Sequence, residues 1–353
     1  IRRQRQMCIR DSTDADKIYI NGICCGSSYD RYAPRIYPVA PGILRAGENV
    51  VCIHLYVFRG RGGAMPGKQY GIRFKKGKER WLDLSGTWDA QIRKQMEYLP
   101  EKTFFNYMAS AMFNGMISPV SPYKICAVIY YQGESDVGHP NRYALEFRAL
   151  VNDWRKSWKE KQLPIIYVQL AGFSDGNIKK QGTQWAEFRE VQRQAMEIEN
   201  TAMIQAYDVG EYNDLHPMDK KTLGMRAALA VHKLVYGEKE ECTGPQVRKI
   251  RLDRDKRVHA VFDQPLQTGS KKDGCELVSE VELRKANGDY KRAYVTVDGN
   301  EICAWLSDGE EPTGIRYAWK DCPMNICLYG KKGLPVIPFI KEWGRDAIYT
   351  GTV

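Results

Sequence analysis

The sequence predicts an α/β protein in which a doubly wound parallel sheet is flanked by β-sandwich domains. Three observations point that way. ICAVIYY at 125–131 is a continuous apolar run of the kind buried on both faces of a parallel sheet, and PIIYVQL at 164–170 and AMIQAY at 202–207 resemble it. Helical stripes alternate with these runs: Tyr143, Phe147, Leu150, Val151, Trp154 and Trp158, then Trp185, Phe188, Val191, Ala195 and Ile198, then Leu223, Ala227, Ala230, Val231 and Leu234. On either side of this region the apolar period returns to two.

In chain order, IRRQRQMCIRDS shows no period, and residues 1–14 read as a disordered or foreign leader. Residues 15–97 read as part of a β-sandwich. KIYING, YAPRIYPV and the run from Val51 to Phe58 supply strands, and Val51, Ile53, Leu55 and Val57 are expected to face inward. Asn21-Gly22 is the preferred pair for a two-residue hairpin turn. Residues 98–239 hold the α/β pattern, and 240–353 form a C-terminal β domain with RVHAVF, YVTVDG, EICAWL and GIRYAW as strands. The apolar tail from Gly333 to Phe339 contains Pro335 and Pro338, so it is expected as an extended arm and not as the centre of a sheet.

Composition narrows the function classes. Hydrophobic residues at 43% and charged residues at 27% argue for a globular chain and against a disordered one. No run approaches the ~18–20 apolar residues of a membrane span. The net charge of +10 is spread over short basic runs at 73–80, 247–257 and 271–272, without an aromatic-interleaved groove, so no nucleic-acid partner is expected. The ten cysteines are too sparse for a disulfide scaffold. No cluster has metal-ligand spacing, so neither metal nor cofactor is expected. RGRGG at 59–63 has no Lys-Ser/Thr partner and reads as a sandwich-edge loop, while Tyr29, Tyr32, Trp81 and Trp88 read as core or rim, with sugar stacking as the alternative.

Chemistry is expected beyond the carboxyl ends of the parallel strands, where open α/β sheets bind ligands. The 202–207 strand leads into Asp208 and then GEYNDLHP. His216 is the candidate general base, and Asp214, two residues earlier, is the candidate carboxylate that orients its ring. Pro217 favours an extended backbone at His216 and suits the first turn of a following helix. The 125–131 strand runs into Gln132-Gly133-Glu134, where Gln132 is a candidate oxyanion donor, Gly133 permits close backbone approach and Glu134 is a candidate substrate contact. Ser135 lacks the G-x-S-x-G elbow of an exposed nucleophile. Asp208, Asp153 and Glu190 could be combined as glycosidase carboxylates, and His139 reads as a helix-entry residue.

These segments resemble the sialate O-acetylesterase family, related to the SGNH hydrolases. The resemblance runs over roughly residues 17–340 through FNGMISPV, AVIYYQGESD, DWRKSW, LPIIYVQLAGF and DVGEYNDLHPMDKKTLGMRAALA, with INGICCGSSYDRYAPRIYPV and LRAGENVVCIHLYV upstream and GIRYAW and GLPVIPF downstream. It implies a partial SGNH or flavodoxin-like sheet and metal-independent removal of O-acetyl groups from sialic acids or related glycans. It assigns the general-base role to His216, ring orientation to Asp214, and active-site contacts to Gln132 and Glu134. It also implies a secreted, periplasmic or lysosomal-type location.

Two departures are mild: Tyr130 stands where the family usually has Trp, and PFIKE lacks the common arginine. A larger one is that the family's Gly-Gln-Ser-Asn-like block, which carries the attacking serine, and its glycine-rich oxyanion loop are not found. The nucleophile is therefore not identified in this chain, which is expected to start downstream of the full protein's beginning and to have little activity alone. A catalytically impaired glycan-binding protein is the alternative, and the oligomeric state is left open.

Overall fold

The structure is a computed structural model describing residues 5–9, 14–30, 35–58, 70–74, 80–97, 105, 108–174, 181–212, 214–269 and 278–343. Tyr32, RGRGG and Asn213 lie outside the described residues, as do Lys271 and Lys272 and much of the 73–80 run. The chain divides into two compact units, Ile1–Phe105 and Asn106–Val353.

The first unit is all β. Its strands are β1 (Arg5–Ile9), β2 (Ala15–Ile20), β3 (Ile23–Ser28), β4 (Arg35–Val39), β5 (Val51–Tyr56), β6 (Tyr70–Phe74) and β7 (Arg80–Asp83). They form a four-stranded sheet ordered β4-β1-β6-β7 and a three-stranded sheet ordered β3-β2-β5. Ile18 and Ile20 of the second sheet pack with Tyr37, Val39 and Ile72 of the first, which makes the sandwich core. Asn21 and Gly22 both have positive φ, 51° and 81°, as a tight hairpin turn requires. Asp16, fully buried, accepts from Arg35 Nε at 2.7 Å and from the Tyr37 hydroxyl at 2.6 Å. Burial, with the adjacent Asp16 carboxylate, pushes the Tyr37 hydroxyl well above its ordinary range.

Two expectations need correcting here. The region read as a patternless leader contributes β1, which pairs antiparallel with both β4 and β6. Main-chain pairing needs no apolar period, so composition did not signal it. In β5 the inward alternation holds at Val51 and Ile53 but stops at Leu55 and Val57, which are exposed where the strand runs out.

The second unit begins with the α/β layers: β8 (Val128–Tyr130), α1 (Pro140–Ser157), β9 (Ile165–Gln169), α2 (Gln184–Gln194), β10 (Thr201–Gln205) and α3 (Lys220–Tyr236). The sheet is parallel and ordered β10-β9-β8. Alternate residues feed opposite layers. Ile165, Tyr167 and Met203 pack against Tyr143, Phe147 and Val151 of α1 and Phe188 of α2, while Ile166, Val168, Ala202 and Ile204 pack against Leu223, Ala227 and Ala230 of α3. The expected double-sided burial fails at β8. Ile129 is 58% exposed although its register partner Ile166 is fully buried, because β8 is the edge of the sheet among the described residues.

The C-terminal strands are β11 (Val247–Leu252), β12 (Val258–Phe262), β13 (Leu266–Thr268), β14 (Val281–Arg284), β15 (Tyr290–Arg292), β16 (Tyr294–Asp298), β17 (Glu301–Trp305), β18 (Gly314–Tyr317), β19 (Leu328–Gly330) and β20 (Phe339–Glu342). Two four-stranded sheets, β11-β12-β17-β16 and β15-β14-β18-β20, enclose a core that includes Val258, Phe262, Ile302, Ile315 and Tyr317. The tail is an extended arm as far as Pro338 and then enters β20. Val336 joins the β core and Ile337 the α/β core, so this arm links the two layers of the unit.

Two glycines test this packing. A Cβ at Gly244 would lie 1.8 Å from the Pro335 carbonyl oxygen, a backbone atom that cannot step aside without moving the arm. Gly244→Ala should lower unfolding free energy by ~3 kcal/mol. Gly224, inside α3, has nothing within 4 Å of its would-be Cβ, and Gly224→Ala should raise it by about 0.5–1 kcal/mol. Urea denaturation midpoints of the two variants check both signs.

Candidate active site

The strands β8, β9 and β10 run parallel, so the segments that leave their carboxyl ends share one edge of the sheet. After β8 the chain turns sharply. Gly133 has φ +149°, and a Cβ there would come within 2.7 Å of Phe188 Cε1, so the position favours glycine on both backbone and packing grounds. The Asp136 amide donates to the Gly133 carbonyl at 2.9 Å and closes a short turn over Glu134–Asp136. Gln132 is held at both ends of its amide: Oε1 accepts from the Tyr130 hydroxyl at 2.8 Å, and Nε2 donates to Asp136 Oδ2 at 2.7 Å. An amide nitrogen carries two hydrogens, so one donor remains for a ligand. Glu134 is half-buried and Ser135 exposed on the same turn.

After β10 the chain passes through Asp208, whose carboxylate takes both arms of the Arg226 guanidinium at 2.7 and 2.6 Å. Arg226 also donates to the Gln205 carbonyl at 2.6 Å, and the two side chains are only 6% and 5% exposed. Burial disfavours the Arg226 cation, but Asp208 more than offsets this and leaves its pKa raised. The loop then crosses β9's exit: a Cβ at Gly210 would lie 2.7 Å from the backbone of Gly172, and the Ser174 amide donates to the Tyr212 carbonyl. The Asp214 amide donates to the Glu211 carbonyl at 3.0 Å, and Asp214 Oδ1 accepts from the His216 amide at 2.8 Å. That side-chain turn fixes the main chain at His216, which is exposed, while Pro217 is buried beneath it. Asp219 then caps α3 by accepting from the Thr222 amide and hydroxyl, bonds that lower its carboxyl pKa.

The other candidates separate from this edge. Asp208 is committed to Arg226, Glu190 to Arg193 at 2.7 and 2.8 Å, and Asp153 is exposed on α1, which leaves no pair of free carboxylates for glycosidase chemistry among these three. His139 is the residue entering α1. Trp88 donates its ring N–H to the Leu84 carbonyl, and Tyr29 is exposed near Tyr56. Among the described residues no group of three or more His, Cys, Asp or Glu side chains is arranged to hold a metal ion, and no helix is long and apolar enough to cross a membrane.

Sequence reasoning missed two arginines that brace the edge. Arg226 shares α3's buried stripe with Leu223, Ala227 and Ala230. Arg189 lies on α2 beside Phe188 and is fully buried; it donates to the carbonyls of Lys320 and Asp321, and burial pushes it down to about 10. Asp321 in turn accepts from the Trp185 amide on its carboxylate and from the Phe173 amide on its carbonyl. The segment at Lys320–Asp321 is thereby stitched to the loop after β9. The available signal was a charge in phase with an apolar helical stripe.

Residues 90–233, which include every candidate above from Gln132 to His216, match the family model described as carbohydrate esterase, sialic acid-specific acetylesterase. Sialate O-acetylesterase of Homo sapiens is 28% identical over 264 residues, covering 65% of this chain and 48% of that protein. The Mus musculus protein of the same name is 30% identical over 281 residues, covering 68% and 48%. The chain thus spans about half the length of the curated relatives it matches. A crystal structure of a carbohydrate acetylesterase from Xanthomonas citri superposes with a TM-score of 0.60 at 19% identity, covering 95% of this chain and 94% of that one, which establishes likeness of fold.

The Asp208–Arg226 pair yields a direct test. Arg226→Ala leaves a buried carboxylate without its partner and should cost about 3–5 kcal/mol. The neutral pair Asp208→Asn with Arg226→Met should recover most of that loss. Chemical denaturation of the three proteins measures the difference.

Proposed function

We propose that this chain, which belongs to the sialate O-acetylesterase family, carries the acid-base part of a carbohydrate O-acetylesterase acting on O-acetylated sialic acids or related glycans. The observation that supports the reading is that the Asp214-x-His216 loop and the Gln132-Gly133-Glu134 turn follow the carboxyl ends of β10 and β8, two strands of one parallel sheet.

In this reading His216 takes the proton of an attacking serine hydroxyl as its oxygen adds to the acetyl carbonyl. Asp214 orients the imidazole, and the second amide hydrogen of Gln132 donates to the developing oxyanion. Collapse expels the sugar oxygen, which takes the proton from His216. Water then attacks the acetyl-serine with His216 again as base, releasing acetate and restoring the serine. Glu134 contacts sugar hydroxyls. The serine is proposed to come from polypeptide outside these 353 residues. A secreted, periplasmic or lysosomal-type compartment, where acetylated glycans are met, belongs to the same proposal.

Acetate release from O-acetylated N-acetylneuraminic acid tests it. The 353-residue chain alone should stay near the buffer rate. A polypeptide that also carries the serine segment should release acetate, and His216→Ala in it should cost ~10²–10⁴-fold. Robust hydrolysis by the chain alone, abolished by replacing one of its own serines such as Ser135, would contradict the placement of the nucleophile. Glycan binding with no acetate release from the longer polypeptide would favour a catalytically impaired glycan-binding protein.

A further inference from the structure

Lys220 opens α3, four residues after His216. Its ammonium lies 5.7 Å from the ring centroid of Tyr131, the residue that connects β8 to Gln132. A cation carried by the His216 side of the edge therefore reaches the Gln132 side. The contact has the range of a cation–π interaction, which orients an ammonium without neutralising its charge. Burial, then the charge of Glu134, pushes the Tyr131 hydroxyl well up, so the ring beneath the ammonium stays uncharged at neutral pH.

The charge of Lys220 is also uncommitted. No carboxylate pairs with it among the described residues, whereas Arg226 and Lys233 on the same helix pair with Asp208 and Glu241. Its neighbour Asp219 directs both carboxylate oxygens to Thr222. An exposed, unpaired cation steadied over an aromatic ring, between a general-base loop and a loop that offers an amide donor, is suited to an anionic group on a ligand that spans both.

We propose that Lys220 is a specificity-determining residue: it holds the carboxylate of an acidic monosaccharide while the sugar's ester group faces His216 and Gln132. This rests on the esterase reading and deepens it, because it makes selection for acidic over neutral acetylated sugars a property of one side chain.

The test compares two probes that carry no O-acetyl group, N-acetylneuraminic acid and its methyl ester, which differ in the carboxylate charge. Binding to the 353-residue chain is measured by isothermal titration or saturation-transfer NMR at low ionic strength. The acid should bind about tenfold more tightly than the ester, a difference of ~1.4 kcal/mol. Added salt should shrink that ratio. Lys220→Gln should bring the ratio close to one by weakening the acid alone, and Lys220→Arg should restore it; circular dichroism confirms that both variants are folded. An acid preference that survives Lys220→Gln, or equal or absent binding of both probes by the unaltered chain, overturns the inference. The esterase reading is judged separately. His216-dependent acetate release from a neutral acetylated sugar, without any acid preference, would leave that reading standing and remove Lys220 from it.

Discussion

The Asp208–Arg226 ion pair is the constraint on which the candidate site depends. It joins the segment after β10 to the second turn of α3, and residues 209–219, between Asp208 and the start of that helix, form the loop that carries Asp214 and His216. Both charges are almost wholly removed from water, so neither partner can be dispensed with alone. With its two ends fixed, the loop is shaped by contacts that need no bulk: Gly210 against Gly172, and the Asp214 carboxylate against the His216 amide.

A second buried cation does comparable work from another direction. Arg189 binds main-chain carbonyls and not a carboxylate, and it thereby fixes Lys320 and Asp321 against α2, while Asp321 holds the loop after β9. Cys322 continues this contact, since its Sγ would meet a Cβ at Gly172 at 3.0 Å. The C-terminal β layer is in this way a structural wall beside the loop after β9, and Val336 and Ile337, neighbours in the chain, root the arm in the β core and the α/β core respectively.

Much of this was legible in the sequence because the relevant signals are local. The three apolar runs, the helical stripes at Tyr143-Phe147-Val151 and Leu223-Ala227-Ala230, and the Asn21-Gly22 turn each follow from period or dihedral preference, and each forms. What was not legible depends on partners distant in the chain. β1 gains its strand character from β4 and β6, and Ile129 sits in an apolar run yet is left exposed at a sheet edge. Within the site, the candidate residues could be named from strand-end position, but the commitment of Asp208 to Arg226 could not, nor could the stitching of Asp321 to Phe173 and Trp185. Both are long-range polar contacts that leave only a faint trace, a charge on a buried stripe.

In the proposed mechanism His216 and Gln132 act on one reacting group beyond the carboxyl ends of β8 and β10. A crystal structure of the polypeptide bearing the serine segment, bound to a phosphonate analogue of the tetrahedral acetyl-transfer species, measures this directly. The expected complex has the His216 imidazole at ~3 Å from the serine-linked oxygen and the Gln132 amide nitrogen at ~3 Å from a phosphonyl oxygen. A phosphonate seated with His216 turned to solvent, or with Gln132 out of reach, would contradict it.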